Sequence, residues 1–266
     1  YIRGTHAEPD LRVLRRLIQE NPLGMLTTAI KSPAHPFLQT SHVPFVLDVD
    51  DPSSATERGR LRGHMARANP QAKAAADSLA ADPSLAGVLE HEVLVVFTRP
   101  EHHYVTPKFY VETKPETGKV VPTWNYAAVQ AYGRARFYVD GKADETGAYL
   151  DKQIRDLTRH NETETMGYTG KDGNPDGWTV EQAPANYIEL LKKAIVGVEI
   201  EIDRLEGKFK MSQEMGEGDR EGVIAGMAAV GTDASRAVSD MVRERHEAAK
   251  AAKASKASKA AAAASS

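Results

Sequence analysis

Two short stretches carry side chains whose types and spacing suit ligand chemistry. The first is Gly63-His64-Met65-Ala66-Arg67-Ala68-Asn69-Pro70-Gln71-Ala72-Lys73. Asn69 before Pro70 has the form of an N-cap followed by a first helical residue that needs no N–H partner. Arg67 and Lys73 therefore bracket a helix N-terminus. Free N–H groups, the helix dipole and two cations together suit a phosphate. The same residues are equally consistent with cations on a solvated helix start. The stretch is not a P-loop, because no GxxxxGKS/T pattern is present. The second stretch is Thr123-Trp124-Asn125-Tyr126, which follows Pro122 at a loop–strand junction. It offers a flat apolar wall with amide and hydroxyl groups beside it. Its plainer reading, favoured when the stretch is taken alone, is a buried Trp, one of two in the chain.

Other candidate groups are weaker. His64 sits on a strand, facing inward beside Gly63, where a lone His is more often a core residue than a ligand. His102 and His103 are adjacent, so on an extended chain their side chains diverge. A metal or haem site using His42 and His64 has no HExxH or similar spacing behind it, and no metal is expected. There is no GxSxG, and Ser212 lies in no nucleophile signature. No GxGxxG follows a strand. Glu199 and Glu201 face the same way on a strand, as an exposed polar face would. No catalytic residue is assigned.

The elements that must position these groups are mostly strands. Helical periodicity covers Asp10 to Glu20, with Asp10 as N-cap and Leu11, Leu14, Leu17 and Ile18 on one face. Strands are expected at Leu23–Ile30, Pro36–Asp48, Arg60–Ala66, Glu92–Thr98, Ala127–Val139 and Ala194–Leu205, with Gly207–Gln213 continuing after a turn. Pro44 marks an edge or bulge. Further helices are expected from Pro70, over Asp144–Asn161 and over Pro184–Lys193. Phe109–Pro122 reads as a long polar loop. The connections are mostly too short for repeated βαβ crossovers, so a mainly antiparallel barrel with peripheral helices fits best.

The chain has 266 residues, 41% of them hydrophobic, no Cys and a formal net charge of −3. Disulfides and thiol chemistry are excluded, and there is no global nucleic-acid signature. No apolar run approaches the roughly 20 residues needed to span a bilayer, so no membrane partner is expected. Tyr1 to Pro9 lacks an apolar signal core, which makes the cytoplasm the expected location, with the nucleus also compatible. One core is expected over 1–230. Residues 231–266 read as a helical, low-complexity Ala/Lys/Ser tail, flexible and solvated. The alternative for the tail is a weak, sequence-blind nucleic-acid contact through its lysines.

Several stretches together resemble the PaiB-like family of FMN-binding negative transcriptional regulators. They are Gly63 to Gln71, Val120 to Gly133, Leu191 to Ile202, Leu205 to Gln213 and Asp219 to Gly226. The resemblance implies a split β-barrel of the pyridoxamine-phosphate-oxidase-like flavoprotein type. It implies a homodimer with FMN at the subunit interface. It places the phosphate at Arg67 and Lys73, with Asn69 and Gln71 adding hydrogen bonds. Thr123, Trp124 and Asn125 would border the ring system and His64 its reactive face. Ala72 departs from the pattern, where a larger residue is expected. Two roles follow, a flavin-dependent oxidoreductase or a transcriptional regulator. A haem-binding split barrel is the alternative, as is a binding protein without turnover.

Overall fold

A computed structural model describes residues 1–264; residues 265 and 266, and several side chains from 252 onward, lie outside the description. The strands are β1 (Ala7–Glu8), β2 (Leu23–Ala29), β3 (Leu38–Asp48), β4 (Arg60–Ala66), β5 (Val93–Thr98), β6 (His103–Val105), β7 (Thr123–Tyr138) and β8 (Ile195–Lys210). The helices are α1 (Leu11–Glu20), α2 (Pro70–Ala81), α3 (Thr113–Thr117), α4 (Asp144–His160), α5 (Ala185–Lys192), α6 (Glu217–Val230) and α7 (Asp233–Ala264). Two compact units are present. One comprises residues 9–97 and 129–206; the other comprises 1–8, 98–128 and 207–266.

The 9–97/129–206 unit is the barrel. Its strands follow the order β8-β4-β3-β2-β5-β7, and β7 pairs again with β8, so the ring of six closes. The registered pairs are antiparallel, as the short connections require. Alternation sends Leu26, Val43, Phe45, Leu47, Leu61, Val95, Phe97, Val129, Ala131, Val198 and Ile200 into the buried set. Phe45 and Phe97 meet edge to face at 6.0 Å. Pro44 is the last β3 residue in register with β2, and Phe45 the first in register with β4. The missing N–H thus falls where the ladders change over. The mainly β barrel with peripheral helices is the architecture expected from the sequence.

Closure of the ring depends on Gly133. A Cβ there would stand 1.8 Å from the carbonyl oxygen of Glu201, a backbone atom that cannot turn aside. Glycine is used for close approach, not for an unusual dihedral.

Buried charge docks the barrel's helices. The Arg62 guanidinium, on β4, donates to both oxygens of Asp48 (2.5 and 2.8 Å), to Asp156 at 2.8 Å and to the Gln153 carbonyl at 3.2 Å. Asp156 and Gln153 belong to α4, so one side chain ties α4 to the sheet. Tyr149 of α4 adds a hydroxyl donating to Gly63 O and Val198 O, and its ring stacks on Tyr138 at 4.0 Å. Burial pushes the Tyr149 hydroxyl far above its ordinary pKa, which keeps it a donor. On α1, buried Arg15 donates to the carbonyls of Glu57, Pro52 and Ser54 and holds the 50–59 loop.

In the other unit, α6 and α7 form an antiparallel hairpin turned at Gly231, which has φ +79°. Val223, Met227, Val238, Met241 and Val242 are buried in it. The first half of α7, from Asp233 to His246, therefore has an apolar face. Of the four tail lysines on which the nucleic-acid expectation rests, Lys250 is paired with Glu217, and the side chains of Lys253, Lys256 and Lys259 lie outside the described residues.

Three expectations need correction here. β7 begins at Thr123 rather than Ala127, because β6 supplies a ladder through Val105↔Thr123, Tyr104↔Trp124 and His103↔Asn125. β8 runs unbroken to Lys210 with no turn at Gly207, because Gly207 and Lys208 pair with Glu8 and Ala7 of β1. The 109–122 segment contains α3, whose start is fixed by the buried Asp219 carboxylate accepting from Glu112 N at 2.8 Å and Thr113 N at 3.3 Å. Burial works against that charge, but these hydrogen bonds win and hold the Asp219 carboxyl below its usual range.

Gly133→Ala is expected to destabilise the barrel by about 3 kcal/mol, the upper end of overpacking costs. Urea unfolding monitored by circular dichroism checks this.

Candidate functional site

The residues singled out from the sequence fall in both units. In the barrel unit, Arg67 follows β4 and donates to three carbonyls: Lys193 O at 3.1 Å, Val139 O at 2.7 Å and Ile195 O at 3.1 Å. Its fork thus pins the start of α2 to the end of β7 and the start of β8. Asn69 caps α2 by accepting from Gln71 N at 2.9 Å, and its amide donates to Ser41 Oγ at 2.9 Å. Buried Gln71 donates from Nε2 to Leu26 O, Thr28 Oγ1 and Gln39 O at 3.0–3.1 Å. These three side chains are committed to the fold. Lys73 is exposed, and no ion pair involving it is present among the described residues.

His64 is half-buried on β4, opposite Gly197 of β8. Burial pushes its pKa down from the ordinary imidazole value. Its Nδ1 is buried without a hydrogen-bond partner, as are Gln39 Nε2 and Gln71 Oε1. Leaving such atoms unpaired is costly, and buried polar groups are nearly always paired. They fit a polar ligand or bound water near these residues.

In the other unit, Thr123 and Asn125 point to one side of β7 and Trp124 to the other. Thr123 Oγ1 accepts from Lys210 Nζ at 2.8 Å. Lys210 also pairs with Glu214 at 2.8 Å, and Glu214 meets His6 Nε2 at 2.9 Å. Burial opposes the Glu214 charge, but the Lys210 and His6 hydrogen bonds hold its pKa down to about 2. Asn125 is fully buried and donates to Ser212 Oγ at 3.1 Å. Ser212 has φ +59°, a left-handed conformation that this contact helps secure.

Trp124 is 52% exposed, which overturns its reading as a buried Trp. His102 lies 6.0 Å from its ring and Tyr104 lies 6.1 Å away, edge-on. The three rings make an aromatic ledge. A cleft of about 360 Å³ in this unit is lined by Arg3, His6, Lys119, Thr123, Lys208 and Lys210, among others. Glu214 also lines it and neutralises part of this charge through Lys210 and His6, leaving Arg3, Lys119 and Lys208 as the cations not paired with it. The sequence analysis missed Lys208, Lys210 and Glu214. The signal was present in the i, i+2 spacing of the two lysines, but the turn expected at Gly207 hid their shared side.

The barrel unit thus leaves polar atoms unpaired, and the other unit exposes an aromatic ledge. A family model described as "Putative FMN-binding domain" matches residues 1–204. The chain belongs to this FMN-binding family. An uncharacterized protein of Emericella nidulans is 56% identical over 93% of this chain and 98% of its own length. The protease synthase and sporulation protein PAI 2 of Bacillus subtilis is 26% identical over 84% of this chain and 85% of its own. This relative bears out the PaiB-like resemblance. Among solved structures, a conserved hypothetical protein of Mycobacterium tuberculosis is similar with a TM-score of 0.44 and 14% identity, covering 82% of this chain and 94% of that one. The family supports a flavin cofactor, and nothing supports the haem alternative. No helix among the described residues is long and apolar enough to cross a membrane.

Two outcomes follow. Arg67→Ala should cost about 1–3 kcal/mol through its abandoned carbonyls, whereas Lys73→Ala should stay within about 0.5 kcal/mol; chemical denaturation separates them. The Glu214 carboxyl has its folded pKa, about 2, below the ordinary 4.5. Its stabilising contribution is therefore whole above pH 4.5 and drains as pH falls toward 2. Thermal unfolding across this window should be less pH-dependent in Glu214→Gln.

Proposed function

We propose that the chain binds FMN and works as a flavoprotein, with the ring system against the Trp124 ledge. The carrying observation is the exposure of that ledge. A large aromatic surface left in water forgoes the free energy that burial supplies, and a flat conjugated ring is the ligand that would cover it best. The phosphate we assign to the start of α2, where Lys73 is the available cation and the helix N-terminus adds its dipole. In the dimer proposed below, the ledge that meets this FMN comes from the partner copy of the chain. FMN, when bound, supplies hydride or electron transfer, and the chain supplies binding, orientation and charge.

The role favoured is redox chemistry rather than DNA regulation, because a net charge of −3 works against a phosphate backbone. A salt-dependent shift of duplex DNA by the protein would reverse that preference. The functional form we propose is a homodimer. Tyr187, Leu190 and Leu191 of α5 are exposed, an apolar face without a partner in the single chain. A solution mass of about twice 29.0 kDa is expected, falling to the single-chain value in Leu190→Glu.

The purified protein should show flavin absorbance or take up FMN at micromolar concentration. Trp124→Ala should weaken uptake by up to about tenfold, the scale of one aromatic stacking contact. Lys73→Ala should weaken FMN more than riboflavin, which lacks the phosphate. Protein that takes up no FMN would refute the proposal. Unchanged FMN affinity in Trp124→Ala would refute the ring assignment alone.

A further inference from the structure

The α6–α7 hairpin holds a group of side chains that flavin binding does not use. Glu217 and Glu221 are four residues apart on α6, so their carboxylates share one face. His246 of α7 faces them, its Nε2 3.9 Å from Glu217 Oε1. One ligand atom from each of the three residues can be chosen so that all lie within 4.8 Å of one another.

The decisive residue is His246. It is 5% exposed. Neither of its ring nitrogens has a hydrogen-bond partner. A buried imidazole with both nitrogens unpaired is costly, and such a group calls for an ion or a bound molecule. In its neutral form an imidazole offers one ring nitrogen as a lone-pair ligand.

We propose that Glu217, Glu221 and His246 form a divalent transition-metal site, with Zn²⁺ the ion that it suits best. Zinc takes carboxylate oxygen and imidazole nitrogen at about 2.0–2.2 Å, which puts neighbouring ligand atoms about 3–4 Å apart. Both glutamates are exposed, so rotation of their side chains closes the remaining distance. One nitrogen and two carboxylates leave a position for water. Mg²⁺ and Ca²⁺ prefer all-oxygen shells and gain nothing from the imidazole.

Lys250 is the competitor. Its ammonium lies against Glu217 and 4.0 Å from Glu221, where it neutralises charge that a metal would otherwise meet. It is half-exposed on a long stem and can swing into water. It supplies no hydrogen bond to His246, whereas an ion would engage all three side chains. Arg220 adds a second nearby cation that lowers affinity without providing a ligand.

The test uses the full chain, stripped with a chelator and titrated with Zn²⁺ by calorimetry and thermal unfolding. Wild type should bind one Zn²⁺ per chain at micromolar concentration or tighter, with a rise in Tm. The exposed pair E217Q/E221Q should stay folded and lose at least about tenfold in affinity, since removing ligands costs no less than removing their supporting contacts. Lys250→Ala should bind Zn²⁺ more tightly than wild type, a gain that a merely structural cluster would not show. Mg²⁺ should leave Tm unchanged. Absence of saturable Zn²⁺ binding in wild type, or equal binding by E217Q/E221Q, would overturn the site. FMN content plays no part in these readouts.

Discussion

Ring closure between β7 and β8 is the constraint on which the barrel depends. Six strands can wrap into a cylinder only if the last pairs with the first, and that pairing brings the Gly133 backbone against the Glu201 carbonyl. No side chain fits there. Closure removes both sheet edges from solvent and places the inward residues of six strands around one core. The same two strands are each 16 residues long. Their outer portions, Thr123–Ala128 and Gly207–Lys210, lie in the other unit and carry Thr123, Trp124, Lys208 and Lys210.

Buried charge shapes both units, and its satisfaction separates architecture from ligand chemistry. Arg62, Arg15 and Asp219 are all buried, and each is hydrogen-bonded to several partners. Such pairs fix which helix packs where, because a mispaired alternative would strand a charge in low dielectric. The Arg67 fork and the Gln71 amide nitrogen also serve the fold. Both were expected at the cofactor, yet their donors reach backbone carbonyls. Unpartnered atoms stand out against that background. Among the described residues, His64 Nδ1, Gln39 Nε2, Gln71 Oε1, Arg220 Nε and the His246 nitrogens are buried side-chain atoms that the chain alone leaves without a hydrogen bond.

Most strands and helices were legible from local pattern. Arg60–Ala66 and the Asn69-Pro70 helix start are found where alternation and capping put them. The aromatic packet at Thr123–Tyr126 was visible as composition, and its family resemblance as motif. What local pattern misjudged was determined by partners distant in sequence. A turn at Gly207 was reasonable until β1 paired with it. The 109–122 loop gained a helix because Asp219, about a hundred residues later, caps it.

The sequence by itself determined the element types, the antiparallel barrel and membership of a flavin-binding family, because periodicity, caps and short connections are local and motifs are linear. Only the tertiary structure decided which polar side chains are occupied and which are free. Arg67 became a brace, Trp124 an exposed ledge and His246 a buried ring without partners. The reason is physical: hydrogen bonding and burial depend on atoms brought together by folding, and one chain of residue types does not say which donor will meet which acceptor.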